Sequence, residues 1–217
     1  MKFRSIIKKD YPFLLELDKK VYPTDSPVNK NILGKWFKNN PEFGLVFEDD
    51  GKIKGMCIAI PLNKNGWVKL IDGELAESDL GNESIFDNSR DREIGVHIYH
   101  IEKFSKNKGF YLNSLEGLNY IISKLRANNP YLRVIGFSGL CATVEGAGLF
   151  YNKLNCRERK FVSSEYILNK NGKLKLFNLS SSYGLKKKID EGYEVITRCK
   201  MLVVYPDEPS VVWSIIK

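Results

Sequence analysis

The chain reads as an α/β protein with a mixed sheet, and three observations predict this. Strand-like stretches of period two alternate with helix-like stretches of period 3.6 from residue 2 to residue 168. Phe43–Glu48 (FGLVFE), the turn Asp49-Asp50-Gly51 and Lys52–Pro61 (KIKGMCIAIP) have the form of a β-hairpin, which makes part of the sheet antiparallel. Between residues 94 and 140 a helical pattern separates two apolar strands, the mark of a right-handed parallel crossover.

In order, residues 2–7 (KFRSII) form a short strand. Asp10 is placed to cap a helix with Pro12 in its first turn and Phe13, Leu14, Leu17 and Val21 on one face. Ser26-Pro27 supplies a cap and first position for a second helix carrying Ile32, Leu33, Trp36 and Phe37, and Pro41 stops it. After the hairpin, Trp67–Ile71 is expected as a short strand. The acidic run from Asp72 to Arg92 is expected as a long loop pinned by Leu75, Ile85 and Phe86, an irregular surface loop or, as the alternative, a substrate-facing lid. Ile94, Val96 and Ile98 then alternate with Gly95, His97 and Tyr99 in a strand. Leu112, Leu115, Leu118, Ile121, Ile122 and Leu125 define a helix that Asn129-Pro130 ends. Leu132–Leu140 is a buried strand, and Ala147, Phe150, Tyr151 and Leu154 share one side of a short helix ending near Asn155. Phe161–Leu168 is a further strand.

Residues 1–168 are expected to form one domain and residues 169–217 a C-terminal extension. Within the extension, Met201–Tyr205 and Val211–Ile216 read as a β-hairpin that covers the sheet of its own subunit or joins a second copy in a homodimer. The composition, 43% hydrophobic and 28% charged, is that of a globular protein with a sizeable core, and no apolar run has the length of a membrane span. Four scattered cysteines and two histidines make no zinc-site spacing, so no metal is expected, and free thiols point to the cytoplasm. The net charge of +8 is uneven: residues 1–100 hold 15 basic against 16 acidic side chains, and residues 101–217 hold 19 against 10. A positive field there suits a polyphosphate cofactor or nucleic acid.

Chemistry concentrates in Ile94 to Tyr111. A strand passes through the basic turn Ser105-Lys106-Asn107-Lys108-Gly109 into a helix. The first amides of a helix lack internal partners and the macrodipole favours an anion there, so the turn can cradle a pyrophosphate.

These residues resemble the GCN5-related N-acetyltransferases over about residues 2–168. Gly148-Leu149-Phe150-Tyr151-Asn152-Lys153-Leu154-Asn155-Cys156 is similar to the family's FYEKLGF helix end. Lys106-Asn107-Lys108-Gly109-Phe110-Tyr111 stands where the family has its (Q/R)xxGx(G/A) pyrophosphate loop, after Ile101-Glu102-Lys103 in the place of V-D-P. Lys106 replaces Gln or Arg, Tyr111 replaces a small residue, and Asn155-Cys156 replaces Gly-Phe.

The resemblance implies a mixed, mostly antiparallel twisted sheet with a central parallel strand–helix–strand unit and flanking helices. It implies transfer of an acetyl group from acetyl-CoA to a primary amine, small or protein-borne. Lys106, Asn107, Lys108, Gly109, Phe110 and Tyr111 would hold the diphosphate, and backbone at Tyr99, His100 or Ile101 would polarise the thioester. Tyr151 would protonate the departing thiolate, a task suited to a phenol of pKa ~10. No motif fixes the base. Glu93, His97, His100 and Glu102 lie on or beside the strand, where alternation puts His97 and His100 on opposite faces. His100 (pKa ~6.5) and Glu102 are the chosen candidates, and Glu74 or Glu77 could enter from the long loop. Cys141 reads as an inert buried thiol near the acyl end. A second reading is a non-catalytic protein on the same scaffold, binding nucleic acid or another protein through its basic half.

Overall fold

The computed structural model describes residues 2–21, 23, 27–104, 109–159, 164–179 and 181–216. The strands are β1 (Lys2–Ser5), β2 (Gly44–Asp49), β3 (Lys52–Asn63), β4 (Glu93–Lys103), β5 (Arg133–Cys141), β6 (Arg157–Glu158), β7 (Ser164–Lys170), β8 (Lys173–Leu179), β9 (Glu194–Arg198) and β10 (Lys200–Val204). The helices are α1 (Tyr11–Val21), α2 (Lys30–Phe37), α3 (Lys64–Ile71), α4 (Phe110–Asn128), α5 (Val144–Asn152), α6 (Ser182–Asp190) and α7 (Val211–Ile215).

Seven strands form one sheet in the order β1-β2-β3-β4-β5-β10-β6, and three more form a small sheet, β8-β7-β9. Every described pairing is antiparallel except β4 with β5, which α4 connects. The expected mixed α/β sheet with its parallel unit is therefore present. One face of the large sheet carries α4, α5 and α7, with Leu115, Leu118, Ile122, Phe150 and Val212 in its core. The other carries α1, α2 and α3 through Leu14, Leu33, Trp36, Trp67 and Leu70.

Several elements differ from expectation. Trp67–Ile71 is helical: Asn63 accepts from Gly66 N at 2.9 Å, and Trp67, Leu70 and Ile71 are buried at i, i+3, i+4 spacing. Asn29, whose Oδ1 accepts from Asn31 N and Ile32 N, caps α2, and Pro27 lies outside the helix; Ser26 is outside the described residues. The Asp10 carboxylate turns back on Ile7 N and Arg4 instead of capping α1. The buried face of α1 is Tyr11, Leu14 and Asp18, with Phe13 exposed.

The C-terminal runs do not pair as a hairpin. β10 lies between β5 and β6 in the large sheet, and residues 211–215 are helical, capped by Ser210, whose Oγ accepts from Val212 N. Trp213 of α7 meets Phe137 edge-on at 5.6 Å. The 72–92 segment is mainly loop with one short 3-10 turn, Glu77–Asp79, and is pinned by buried Ile85 and Phe86 as expected.

Candidate active site

β4 and β5 pair from Glu93↔Arg133 to His97↔Ser138, and there the pairing ends. Past that point a cleft of about 100 Å³ separates them, walled by residues 98–102 of β4, residues 140–143, and Gly146, Leu149 and Phe150 of α5. Its origin lies on the other edge of β4. Ile58 opposes His100 while Ala59 opposes Ile98, so Tyr99 is an extra residue in the ladder. Such a bulge bends its strand and increases the local twist, which carries β4 away from β5.

The bulge also corrects a face assignment. Alternation places His97 and His100 on opposite faces, but one inserted residue reverses the count. His97 opposes Ile60 and His100 opposes Ile58, two residues of the same face of β3. Both histidines and Tyr99 therefore lie toward α1, α2 and α3.

Titratable groups line this face. Tyr99 packs edge-on against Trp36 at 4.9 Å, and its hydroxyl donates to Asp18 of α1. Burial pushes the Asp18 carboxyl up to about 6, and the negative Glu77 adds to the shift. His100 is 8% exposed, its Nε2 has no hydrogen-bond partner among the described residues, and burial pushes its pKa down to about 4, which keeps the imidazole neutral. Burial also raises the half-buried Glu102 carboxyl. The Cys141 thiol is pushed up to about 12, so it stays protonated and is no nucleophile at neutral pH.

A hydrogen-bonded chain fixes one more carboxylate here. Gly95 and Gly136 are register partners, and the Trp67 ring lies across them: a Cβ at Gly95 would stand 2.1 Å from Trp67 Cγ. Trp67 Nε1 donates to Ser138 Oγ at 3.0 Å, and Ser138 lies 2.9 Å from His97 Nδ1. His97 Nε2 is 2.7 Å from Glu77 Oε1. Indole can only donate and a carboxylate can only accept, so with a neutral imidazole the Ser138 hydroxyl donates to Nδ1 and Nε2–H donates to Glu77.

At the start of α4, Gly109 has φ +80°, a left-handed conformation that favours glycine, and no side chain caps the helix. Among the described residues a Cβ at Gly109 would meet only Leu112, at 3.7 Å. Phe110 is buried against Phe47, and Tyr111 packs on the core. The Phe110 side chain has no polar atom, so Phe110 can serve an anion only through its backbone, while Tyr111 is half-buried. This geometry fits a diphosphate; Lys106, Asn107 and Lys108 lie outside the described residues.

Of the remaining candidates, Ile101 lines the cleft and packs on the core. Tyr151 is half-buried on α5, adjacent to the cleft-lining Phe150, and its hydroxyl donates to Glu158 at 3.0 Å. Burial first, then Glu158, raises its pKa. Glu93 is committed to Lys64 and Arg133 at the paired end, away from the cleft, and Glu74 is exposed. Sequence reasoning missed Asp18 and Glu165. Asp18 could have been found as a carboxylate four residues after Leu14 on the buried stripe of α1. Glu165 on β7 has a carboxyl pushed up to about 7 by burial and then by Glu77.

No protein-family model matches the sequence, and no curated protein matches it. Solved structures do match. Naa50 of Arabidopsis thaliana, in complex with the bisubstrate analogue CoA-Ac-MVNAL, superposes over 94% of this chain and 97% of its own at 11% identity, with a TM-score of 0.50. Arabidopsis thaliana NAA60 with acetyl-CoA (12% identity, 95% and 99% covered, TM-score 0.47) and yncA, a putative acetyltransferase of Salmonella typhimurium, with acetyl-CoA (14%, 97% and 96%, 0.46) fall below it. At such identities the match with Naa50 speaks for architecture alone, and on that architecture the chain has the fold of the GCN5-related N-acetyltransferases.

Proposed function

We propose that this protein is an acetyl-CoA-dependent N-acetyltransferase acting on a primary amine by direct attack. The observation that carries the reading is the cleft at the end of the β4–β5 pairing, with the buried, unpartnered Nε2 of His100 in its wall. The uncapped first turn of α4 supports it, as does the coenzyme A analogue held by Naa50 on the same fold. Acetyl-CoA, when bound, supplies a thioester whose carbonyl carbon is open to attack.

The amides at Gly109, Phe110 and Tyr111, with Lys106, Asn107 and Lys108, would hold the diphosphate, and the backbone of Tyr99 and Ile101 would polarise the thioester carbonyl. His100 Nε2 accepts a hydrogen bond from the acceptor nitrogen and aims its lone pair. As the N–C bond forms and the C–S bond breaks, the nitrogen gives up one proton and the sulfur takes one. The Tyr99 hydroxyl, already donating to Asp18, can take the proton while passing its own to that carboxylate, whose pKa of about 6 suits work near neutral pH. Glu102, at the exposed end of the cleft, is the second exit to water. Tyr151 leaves Glu158 to protonate the sulfur. We place this activity in the cytoplasm, in keeping with four free, buried cysteines.

Free-thiol release from acetyl-CoA tests the proposal. With a panel of primary amines, thiol and amide should form in equal amounts, and His100→Gln should abolish most of the gain. A panel in which no amine raises thiol release above background would overturn it. One surface favours the second reading, a non-catalytic nucleic-acid binder: a groove of about 800 Å³ beside the β7–β8 turn, lined by Lys19, Lys20, Lys170, Lys173 and Lys175. Steeply salt-dependent binding of single-stranded RNA with no acetyl-CoA binding would select it.

A further inference from the structure

Asp18, Glu77 and Glu165 come from three separate elements and meet on the acceptor side of β4. Glu77 acts on the ionisation of both other carboxylates. Among the described residues none of the three has a Lys or Arg partner: Glu77 is bonded to His97 and Asp18 to Tyr99. Carboxylates withdrawn from water without a counter-cation are costly to keep. A chain with 34 lysines and arginines could readily have placed one here.

The space beside them has a shape. A cavity of about 80 Å³ has Leu70, Leu75 and Met201 in its walls and Glu77, Glu165 and Asn178 as its polar groups. That is more than twice a water's share of liquid volume, about 30 Å³. Leu140 lines both this cavity and the β4–β5 cleft, so the two share a wall residue. In the cleft, His100 Nε2 is a separate sign of a ligand, a polar atom in a residue only 8% exposed that lacks a partner. The Trp67–Ser138–His97 chain holds Glu77 in place from behind.

Resting on the acyltransferase reading, we infer that the acceptor is an aliphatic diamine or polyamine: one nitrogen reaches the cleft beside His100, and a second, cationic nitrogen is bound between Glu77 and Glu165. The apolar walls take the methylene stem. The two carboxylates act as specificity residues for the distal charge, and reject an amine that ends in a methyl group by leaving themselves unpaired.

The test compares diamines from 1,3-diaminopropane to 1,6-diaminohexane with n-butylamine and n-hexylamine, by thiol release at pH 8. The best diamine should exceed the monoamines in kcat/KM by at least about 100-fold. The ratio should fall to about one in Glu77→Gln and in Glu165→Gln, since either change removes a buried charge partner. Equal use of monoamines and diamines, or a preference that survives both substitutions, overturns the inference while leaving the acyltransferase reading intact. Thermal unfolding without acetyl-CoA provides a readout independent of turnover. The best diamine should raise the wild-type Tm by about 6 °C at 100 times its Kd and leave Glu165→Gln unmoved. No shift with any diamine counts against the site even if acetylation is seen. A diamine shift with no thiol release would instead remove the acyltransferase reading and leave a diamine-binding protein.

Discussion

The two faces of β4 are built of different chemistry. Toward α4, Ile94, Val96 and Ile98 join a hydrocarbon core with Leu118, Ile122 and Phe137. Toward α1, α2 and α3, the same strand presents Gly95, His97, Tyr99 and His100, and Asp18 and Glu77 meet them from neighbouring elements. Apolar burial stabilises by about 25 cal/mol per Å², and Ile94 and Val96, at the paired end of the strand, have no other task. The second face buries groups that disfavour folding unless paired, and one of them, His100 Nε2, is left without a partner. Stability sits on one face of the strand and chemistry on the other.

The largest expected effects separate the faces. Ile94→Ala, at the paired end of the strand, should cost about 3 kcal/mol of stability in denaturant titration, with turnover per folded molecule nearly kept. His100→Gln should lower kcat/KM about 100-fold, with acetyl-CoA affinity near wild type by calorimetry. If Ile94→Ala removed activity without loss of stability, the division of labour would be wrong. Next is pH. Asp18 must be ionised to accept a proton, so kcat/KM should rise with pH and level off above about 6. Asp18→Asn should lose that limb along with most of the activity.

The Glu165 carboxyl sharpens the cost of the polar face. Its folded pKa of about 7 lies above the 4.5 usual for a glutamate, so between those pH values the native state holds a proton the unfolded chain has lost. Its contribution to stability is present at low pH and declines as pH rises through about 7. Glu165→Gln should therefore be more stable than wild type by up to about 2 kcal/mol at pH 8 and equal to it at pH 4, measured without amines. The smallest effect is at Tyr151. Tyr151→Phe should lower kcat about 10-fold with KM unchanged, and an unchanged kcat would end its assignment as proton donor.

Much of this contrast was legible in the sequence. The alternation of Ile94, Val96 and Ile98 against Gly95, His97 and Tyr99 marks the two faces, because one residue in two faces each side of a strand. The β2–β3 hairpin and α4 also follow from local patterns, and Asn155, at φ +54°, adopts the left-handed conformation that Asn tolerates at a helix end. What failed was non-local. A bulge leaves no mark in a strand's residue pattern, so alternation sets His97 and His100 on opposite faces when the extra residue Tyr99 returns both to one. Val211–Ile215 has a strand's composition, but Ser210 caps it and a place beside α4 makes it helical. Asp18 and Glu165 carry meaning only through what the fold sets beside them.

Calorimetric titration of the protein with acetyl-CoA is the most direct check on the cleft and the uncapped turn of α4. One acetyl-CoA per chain, bound with micromolar affinity that weakens when Gly109 is changed to Val, is the expected result. No heat of binding up to millimolar acetyl-CoA would contradict the account at its centre.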